Sequence, residues 1–313
     1  MFETLAINWG PDPVIFSLGS MEIRWYSVLF ISGFILGWFI FKWFFKREGI
    51  SEKLLDPLLY TLLIGTIVGA RLGHCLFYQP DYYIGVFYGE GTWSGFFEIF
   101  MPWKGGLASH GGTLFLFFAM WWFARRYGPK HNFDFLWLLD RLAIAVPFAA
   151  MFIRLGNLFN SEIFGGPTDL PWGFVFPAGK QEILAGLEDP SNPGHTVPCH
   201  PTQLYEAISY ALLGLVLVFL YKRRTKGLYR GTYMGVFFTV LFGMRFIIEF
   251  VKNNQVEFEE GMVLNMGQWL SIPFILFGIG LIIYSYKKKI PVETVQPAKP
   301  KAEPTHFAKS INK

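Results

Sequence analysis

The chain has 313 residues, 52% hydrophobic and 19% aromatic, with a mean hydropathy of +0.35. Only 16% are charged, well below the roughly 25% of soluble domains. The net charge of +4 forms no basic stripe with interleaved aromatics, which excludes a nucleic-acid partner. Several apolar runs reach the roughly 20 residues needed to cross a bilayer, so the expected fold is an all-α polytopic membrane protein with seven transmembrane helices.

Residues 1–19, "MFETLAINWGPDPVIF" and onward, have no basic n-region and are expected to be an extracytoplasmic segment, not a cleavable signal. The first span, about 20–42, opens on Arg24 and Tyr26. Lys42, Lys46, Arg47 and Lys53 follow it. The second, about 55–78, carries Arg71, His74 and Cys75 near its far end. Residues 79–105 are rich in Tyr, Trp and Gly and suit an interfacial arm.

The third span, about 106–125, begins in "GGLASHGGTLF" with His110 and is followed by Arg125, Arg126 and Lys130. The fourth, about 133–153, holds Asp140 and Arg141 and ends at Arg154, where "FIRLGNLFNSEIFGG" gathers Asn157, Asn160 and Glu162. Residues 155–200, rich in Gly and Pro, are expected to form a small extracytoplasmic head. The fifth span, about 201–221, is entered through "CHPTQLYE", with His200, Gln203, Tyr205 and Glu206. Lys222, Arg223, Arg224, Lys226 and Arg230 separate it from the sixth, about 231–251, which carries Arg245 and Glu249. The seventh, about 266–286, has Gln268 near its start. Lys287, Lys288 and Lys289 lead into a Lys- and Pro-rich tail, 287–313, expected to be disordered and cytoplasmic.

Basic residues thus fill alternate loops, while the others hold only Lys104, Lys180 and Lys252. The positive-inside rule places the N-terminus outside and the C-terminus in the cytoplasm. With that orientation, Arg71, His74, His110, Arg154, His200, Gln203, Glu206, Arg245, Glu249 and Gln268 all fall at the level of the outer leaflet. Ionisable residues are costly in hydrocarbon, and their sorting to one depth points to a polar cavity opening outward.

Arg245 and Glu249 share a helix face at i,i+4, either as a self-satisfied ion pair or with Glu249 orienting Arg245 towards an anion. Arg71 and Arg154 at similar depth favour the second, because guanidinium forks suit phosphate oxygens, and a phospholipid headgroup is the anion available there. His110, flanked by glycines, is either a satisfied hydrogen-bonder or a proton-accepting group near neutral pH. His200 is either a structural residue at the start of a span or a substrate contact. Asp140 and Arg141 read as packing or inter-helix pairing. The two cysteines, Cys75 and Cys199, make neither a disulfide framework nor a metal site and read as small structural residues.

"RLGNLFNSE" followed by Gly165, with "HGG", "HPTQLYE", "RFIIEF", "RWY" and "GQWLSIP", resembles the prolipoprotein diacylglyceryl transferases of bacteria, in order from Arg24 to Tyr286. The resemblance implies a seven-span enzyme of the bacterial inner membrane. It would move the diacylglyceryl group of phosphatidylglycerol onto the thiol of a lipobox cysteine in a preprolipoprotein signal peptide, releasing glycerol phosphate, with no cofactor and no metal. The matching positions are Tyr26, His110, Arg154, Asn157, Glu162, Arg245 and Glu249. Together with the depth argument they give His110, Arg154 and Arg245 as catalytic. Tyr26, Arg71, Asn157, Glu162, Glu249, His200, Gln203 and Glu206 are then substrate-binding. Ile153 and Leu241 stand where the family often has Gly and Tyr, and His74 is an added polar group. A lipid or anion transporter is the rival reading, but neither internal repeats nor broken helices are evident. An intramembrane hydrolase would need an HExxH or GxSxG motif, and the chain has none.

Overall fold

The structure is a computed structural model that describes residues 6–19, 21–89, 91–102, 105–106, 108–179, 186–223, 228–252 and 262–292. Lys104, Lys180, Arg224 and Lys226, used to orient the chain, and the tail from 293 onward, expected to be disordered, lie outside those residues. The backbone forms two units, Met1–Phe41 with Leu139–Pro291, and Lys42–Leu138 with Val292–Lys313.

Among the described residues, six helices are long and apolar enough to cross a membrane: Trp25–Glu48, Glu52–Phe77, Phe135–Phe159, Thr202–Arg223, Thr232–Val251 and Met266–Lys288. The protein is therefore multi-pass and mostly helical. The third expected span forms a helix, Ser109–His131, but is not among the six. His110, Gly111 and Gly112 open it and Arg125, Arg126, Lys130 and His131 close it, so its apolar stretch is short. Many large apolar side chains face outward from the six helices, among them Ile31, Ile64, Leu212, Phe219 and Leu276, while Gln203 and Glu206 are fully buried. That inversion is what a lipid solvent selects.

In the larger unit, β1 (Ile7–Asn8) pairs in parallel with a later strand, Phe174–Val175, while β2 (Val14–Leu18) and β3 (Met21–Arg24) form an antiparallel hairpin. Gly19, at φ +63°, occupies a left-handed conformation between them. Phe174 and Phe176 join Leu158, Phe164 and Cys199 in a compact apolar cluster within the region expected to be the head.

Helix α1 (Trp25–Glu48) touches α6 (Phe135–Phe159) where Gly33 meets Ala149. Helix α7 (Thr202–Arg223) lies on α6 at Gly214, against the Phe148 ring. Helices α8 (Thr232–Ile248) and α9 (Met266–Lys288) close on each other through Gly235 and Gly278. Small residues at such crossings let backbones approach where no hydrophobic force drives helices together. Asp140 accepts from the amides of Gly231 (2.7 Å) and Met234 (3.0 Å), so it caps the N-terminus of α8 from another helix. Arg141 lies over the Tyr221 ring.

In the smaller unit, α2 (Leu55–Phe77) and α5 (Ser109–His131) are locked by Gly65, Gly69 and Gly73 against Gly111, Phe115 and Ala119. The glycines of "HGG" are thus explained by helix packing. Two short helices, α3 (Pro80–Ile84) and α4 (Trp93–Glu98), form the segment expected to be an arm.

Candidate functional site

The stretch from Arg154 to Gly166 ends α6 and turns back towards the start of α7. Glu162 N–H returns to the Asn157 carbonyl (3.1 Å), and Ser161 and Ile163 adopt positive φ to make the bend. Gly165 then donates to the His200 carbonyl (2.8 Å) and Gly166 to the Val251 carbonyl (2.9 Å), stitching the loop to α7 and to the end of α8. A Cβ on Gly165 would collide with Val251, Thr202 and His200. That glycine is required by space, and the loop is held on both sides.

This scaffold gathers a buried charged network. Arg154 Nε lies 2.7 Å from Glu206 Oε2, an ion pair without the alignment of a hydrogen bond. Its Nη1 donates to Asn157 Oδ1 at 3.3 Å, and the Tyr210 hydroxyl lies within electrostatic reach of the guanidinium. Asn157 Nδ2 donates in turn to Glu162 Oε1 at 2.8 Å. Lys252 Nζ bridges Glu206 Oε1 (3.0 Å) and Glu249 Oε2 (3.4 Å), and its side chain is only 2% exposed. Glu249 Oε1 lies 3.7 Å from Arg245 Nη2, the longest link in the network, and the Arg245 side chain is 32% exposed. Arg154 therefore connects through Glu206, Lys252 and Glu249 to Arg245, across α6, α7 and the end of α8. Tyr26 lies in the first turn of α1 within electrostatic range of Glu162 and Arg154, its ring on Gly156 where any Cβ would intrude. Gln268, half of a capping box with Asn265 at the start of α9, donates to the Phe246 carbonyl at 3.4 Å.

Of the residues singled out by sequence, Tyr26, Arg154, Asn157, Glu162, Gln203, Glu206, Arg245 and Glu249 belong to this unit and surround the network. His200 is in the same unit, but its ring bonds outward, with Nδ1 3.2 Å from the Tyr205 hydroxyl, which also accepts from Trp172 Nε1 (3.0 Å). His110 is in the other unit, exposed in the first turn of α5. Arg71 is there too. Its guanidinium is buried over the Tyr83 ring and donates to the carbonyls of Glu98, Ile99, Gly105 and Gly106. It therefore ties the segment after α2 to that helix.

Lys252 and Tyr210 were not singled out by sequence reading. The signals were present: Tyr210 is four residues after Glu206 and Lys252 three after Glu249, each on the face of its carboxylate. Among the described residues, no group of three or more His, Cys, Asp or Glu is placed to hold a metal ion.

Outside the spans, burial pushes the Cys199 thiol from 9.0 up to about 11 and lowers His200 below its ordinary 6.5. A thiol whose pKa rises on folding contributes stability that is complete below its unfolded value and lost as the pH climbs through about 11. In a Cys75→Ser background, iodoacetamide at pH 8 is therefore expected to leave Cys199 unlabelled until the protein is unfolded. Labelling of the folded protein at the rate of a free thiol would contradict that burial.

A family model for prolipoprotein diacylglyceryl transferase matches residues 13–284. A phosphatidylglycerol–prolipoprotein diacylglyceryl transferase of Porphyromonas gingivalis is 45% identical over 290 residues, 91% of this chain and 96% of the relative. One of Bacteroides fragilis is 42% identical over 293 residues, covering 91% and 97%. One of Tolumonas auensis is 42% identical over 281 residues, covering 90% and 98%.

Proposed function

Since the chain belongs to the prolipoprotein diacylglyceryl transferase family, we propose that its buried arginine network grips the phosphodiester of phosphatidylglycerol while a lipobox thiolate displaces it. The protein is a membrane transferase of lipoprotein biosynthesis that moves the diacylglyceryl group of phosphatidylglycerol to prolipoproteins, the first step of their maturation. The observation that carries the site assignment is the continuous link from Arg154 to Arg245 through Glu206, Lys252 and Glu249.

In the reaction the sulfur attacks the glyceryl carbon that bears the phosphate. A C–S bond forms, the C–O bond breaks, and glycerol phosphate leaves with the electron pair. Charge grows on the phosphate as the bond breaks, so donors aimed at it stabilise the transition state more than the bound lipid. Arg245, the more exposed and more loosely held of the two arginines, has donors to offer the phosphate. Arg154 is held in place by Asn157, Tyr210 and Glu206, and Asn157 is fixed in turn by Glu162. Asn157 and Glu162 thus serve to orient Arg154, with Glu249 doing the same for Arg245. Tyr26 closes the site from α1, and Arg71 positions the arm.

The thiol proton needs an acceptor, because a free thiol near pKa 8.5 is mostly protonated at neutral pH. We assign that role to His110, an exposed imidazole. His110→Asn is expected to slow transfer by about 100-fold or more. Near-normal turnover in that variant would remove His110 from the chemistry. In the same reading α5 is a seventh span, accommodated despite its polar ends by its seam with α2. The N-terminus and the site face outward, residues 155–200 form the head, and 79–105 form the interfacial arm. The function itself is tested by incubating the purified protein with radiolabelled phosphatidylglycerol and a lipobox peptide. Label should pass to the cysteine from phosphatidylglycerol and not from phosphatidylethanolamine.

A further inference from the structure

Buried polar atoms without partners are rare and costly. Among the described residues there are four on side chains: Asn160 Oδ1, Gln203 Oε1, Glu206 Oε2 and Thr232 Oγ1. Thr232 lies at the start of α8. Glu206 Oε2 faces the cation of Arg154. The other two are neutral amide oxygens, and both amides are tied to Glu162.

Gln203 Nε2 donates to the Glu162 main-chain carbonyl at 2.8 Å, and Asn160 Nδ2 donates to Glu162 Oε1 at 3.2 Å. The Glu162 carbonyl and carboxylate oxygens accept and do not donate, so the end of each amide that faces them is its NH2, which fixes the orientation of both amides. The amide oxygens are therefore presented as acceptors that cannot be flipped away. Gln203 is fully buried, yet its oxygen has no donor. The carboxylates around it accept but do not donate, and the guanidinium of Arg154 is engaged with Glu206, Asn157 and Tyr210.

We propose that Gln203 Oε1 and Asn160 Oδ1 are acceptors for the hydroxyls of the glycerol headgroup, and that they give the site its preference for phosphatidylglycerol. The ligand chemistry follows from the vacancies. The site beside Arg154 needs a neutral donor attached to an anion, and a glycerol phosphodiester offers two hydroxyls next to its phosphate. A head without hydroxyls would leave both oxygens unpaired, which is the situation in which a buried polar site discriminates strongly. The lipid enters from the side of Arg245, the exposed end of the network. Its hydroxyls then reach amides that bulk water does not solvate.

This inference rests on the transferase reading above. It is tested with two donor lipids of the same acyl chains, phosphatidylglycerol and phosphatidylpropanol, which keeps the phosphodiester but has no hydroxyls. Wild-type protein is expected to favour phosphatidylglycerol in kcat/KM by about tenfold or more. Gln203→Met, close in volume, and Asn160→Ala, at a partly exposed loop position, should each pull that ratio towards one. Transfer from phosphatidylpropanol should fall by less than transfer from phosphatidylglycerol. An unchanged ratio in both variants, or equal loss with both lipids in both variants, overturns the assignment, because a structural role would not distinguish the heads. If the wild type transfers from phosphatidylpropanol as fast as from phosphatidylglycerol, this inference fails and the transferase reading stands. If it transfers from neither, both fall.

Discussion

Arg154→Ala is expected to lower kcat for diacylglyceryl transfer by about 100- to 1000-fold, the usual loss when one fixed donor to a developing negative charge is removed. The protein should remain inserted and folded. Glu206, which loses its guanidinium, still holds Lys252 Nζ at 3.0 Å, so no carboxylate is left unpaired. The loss should fall on kcat more than on KM, because the leaving phosphate gains charge only as the C–O bond breaks. Arg154→Lys should recover little, since a single ammonium cannot contact Glu206, Asn157, Tyr210 and a phosphate together. Arg245→Ala is expected to cost a comparable factor, and the double substitution less than the product of the two, because both act on one leaving group. Wild-type rates in Arg154→Ala, measured on purified protein in micelles, would end the assignment of this site.

Lys252→Met is expected to damage stability and transfer together. Its ammonium bridges Glu206 and Glu249, and all three side chains are nearly fully buried. Removing it leaves two buried carboxylates with a shortage of positive charge. Breaking such a pair from one side costs about 3–5 kcal/mol, a large part of the roughly 5–15 kcal/mol that holds a domain together. Arg154 and Arg245 would be drawn further onto their carboxylates and away from the lipid. The double variant Lys252→Met with Glu206→Gln should regain much of the lost thermal stability, since it removes charge of both signs. It should not regain transfer, because Arg154 has lost its partner. A Lys252→Met protein with unaltered melting temperature would show that the bridge contributes nothing.

How far the site was legible depends on the kind of residue. Arg154, Asn157, Glu162, Arg245 and Glu249 were legible because each sits in a dense local motif, and the structure ties all of them into one network. Lys252 was read only as an exception to the charge pattern of the loops. Its partner Glu206 lies 46 residues away in sequence, and nothing local announces that α7 and the end of α8 meet there. Arg71 shared the depth of the other arginines, but depth does not say what a guanidinium faces. Four backbone carbonyls of the following segment engage it. The glycines beside His110 allow close approach of backbone or ligand, and the structure uses that room for the seam between α5 and α2.

Membrane partition is nearly a sum over residues within one segment, so the sequence alone determined that the chain crosses a bilayer repeatedly. Its motifs likewise determined which family it joins. Pairing is a property of two segments at once. Only the tertiary structure decided that Asp140 caps α8, that Lys252 joins two arginine–glutamate pairs, and that the oxygens of Gln203 and Asn160 are left open. In each case the energy depends on which helix faces which, and a buried charge or amide is stabilised or stranded by neighbours that lie far away along the chain.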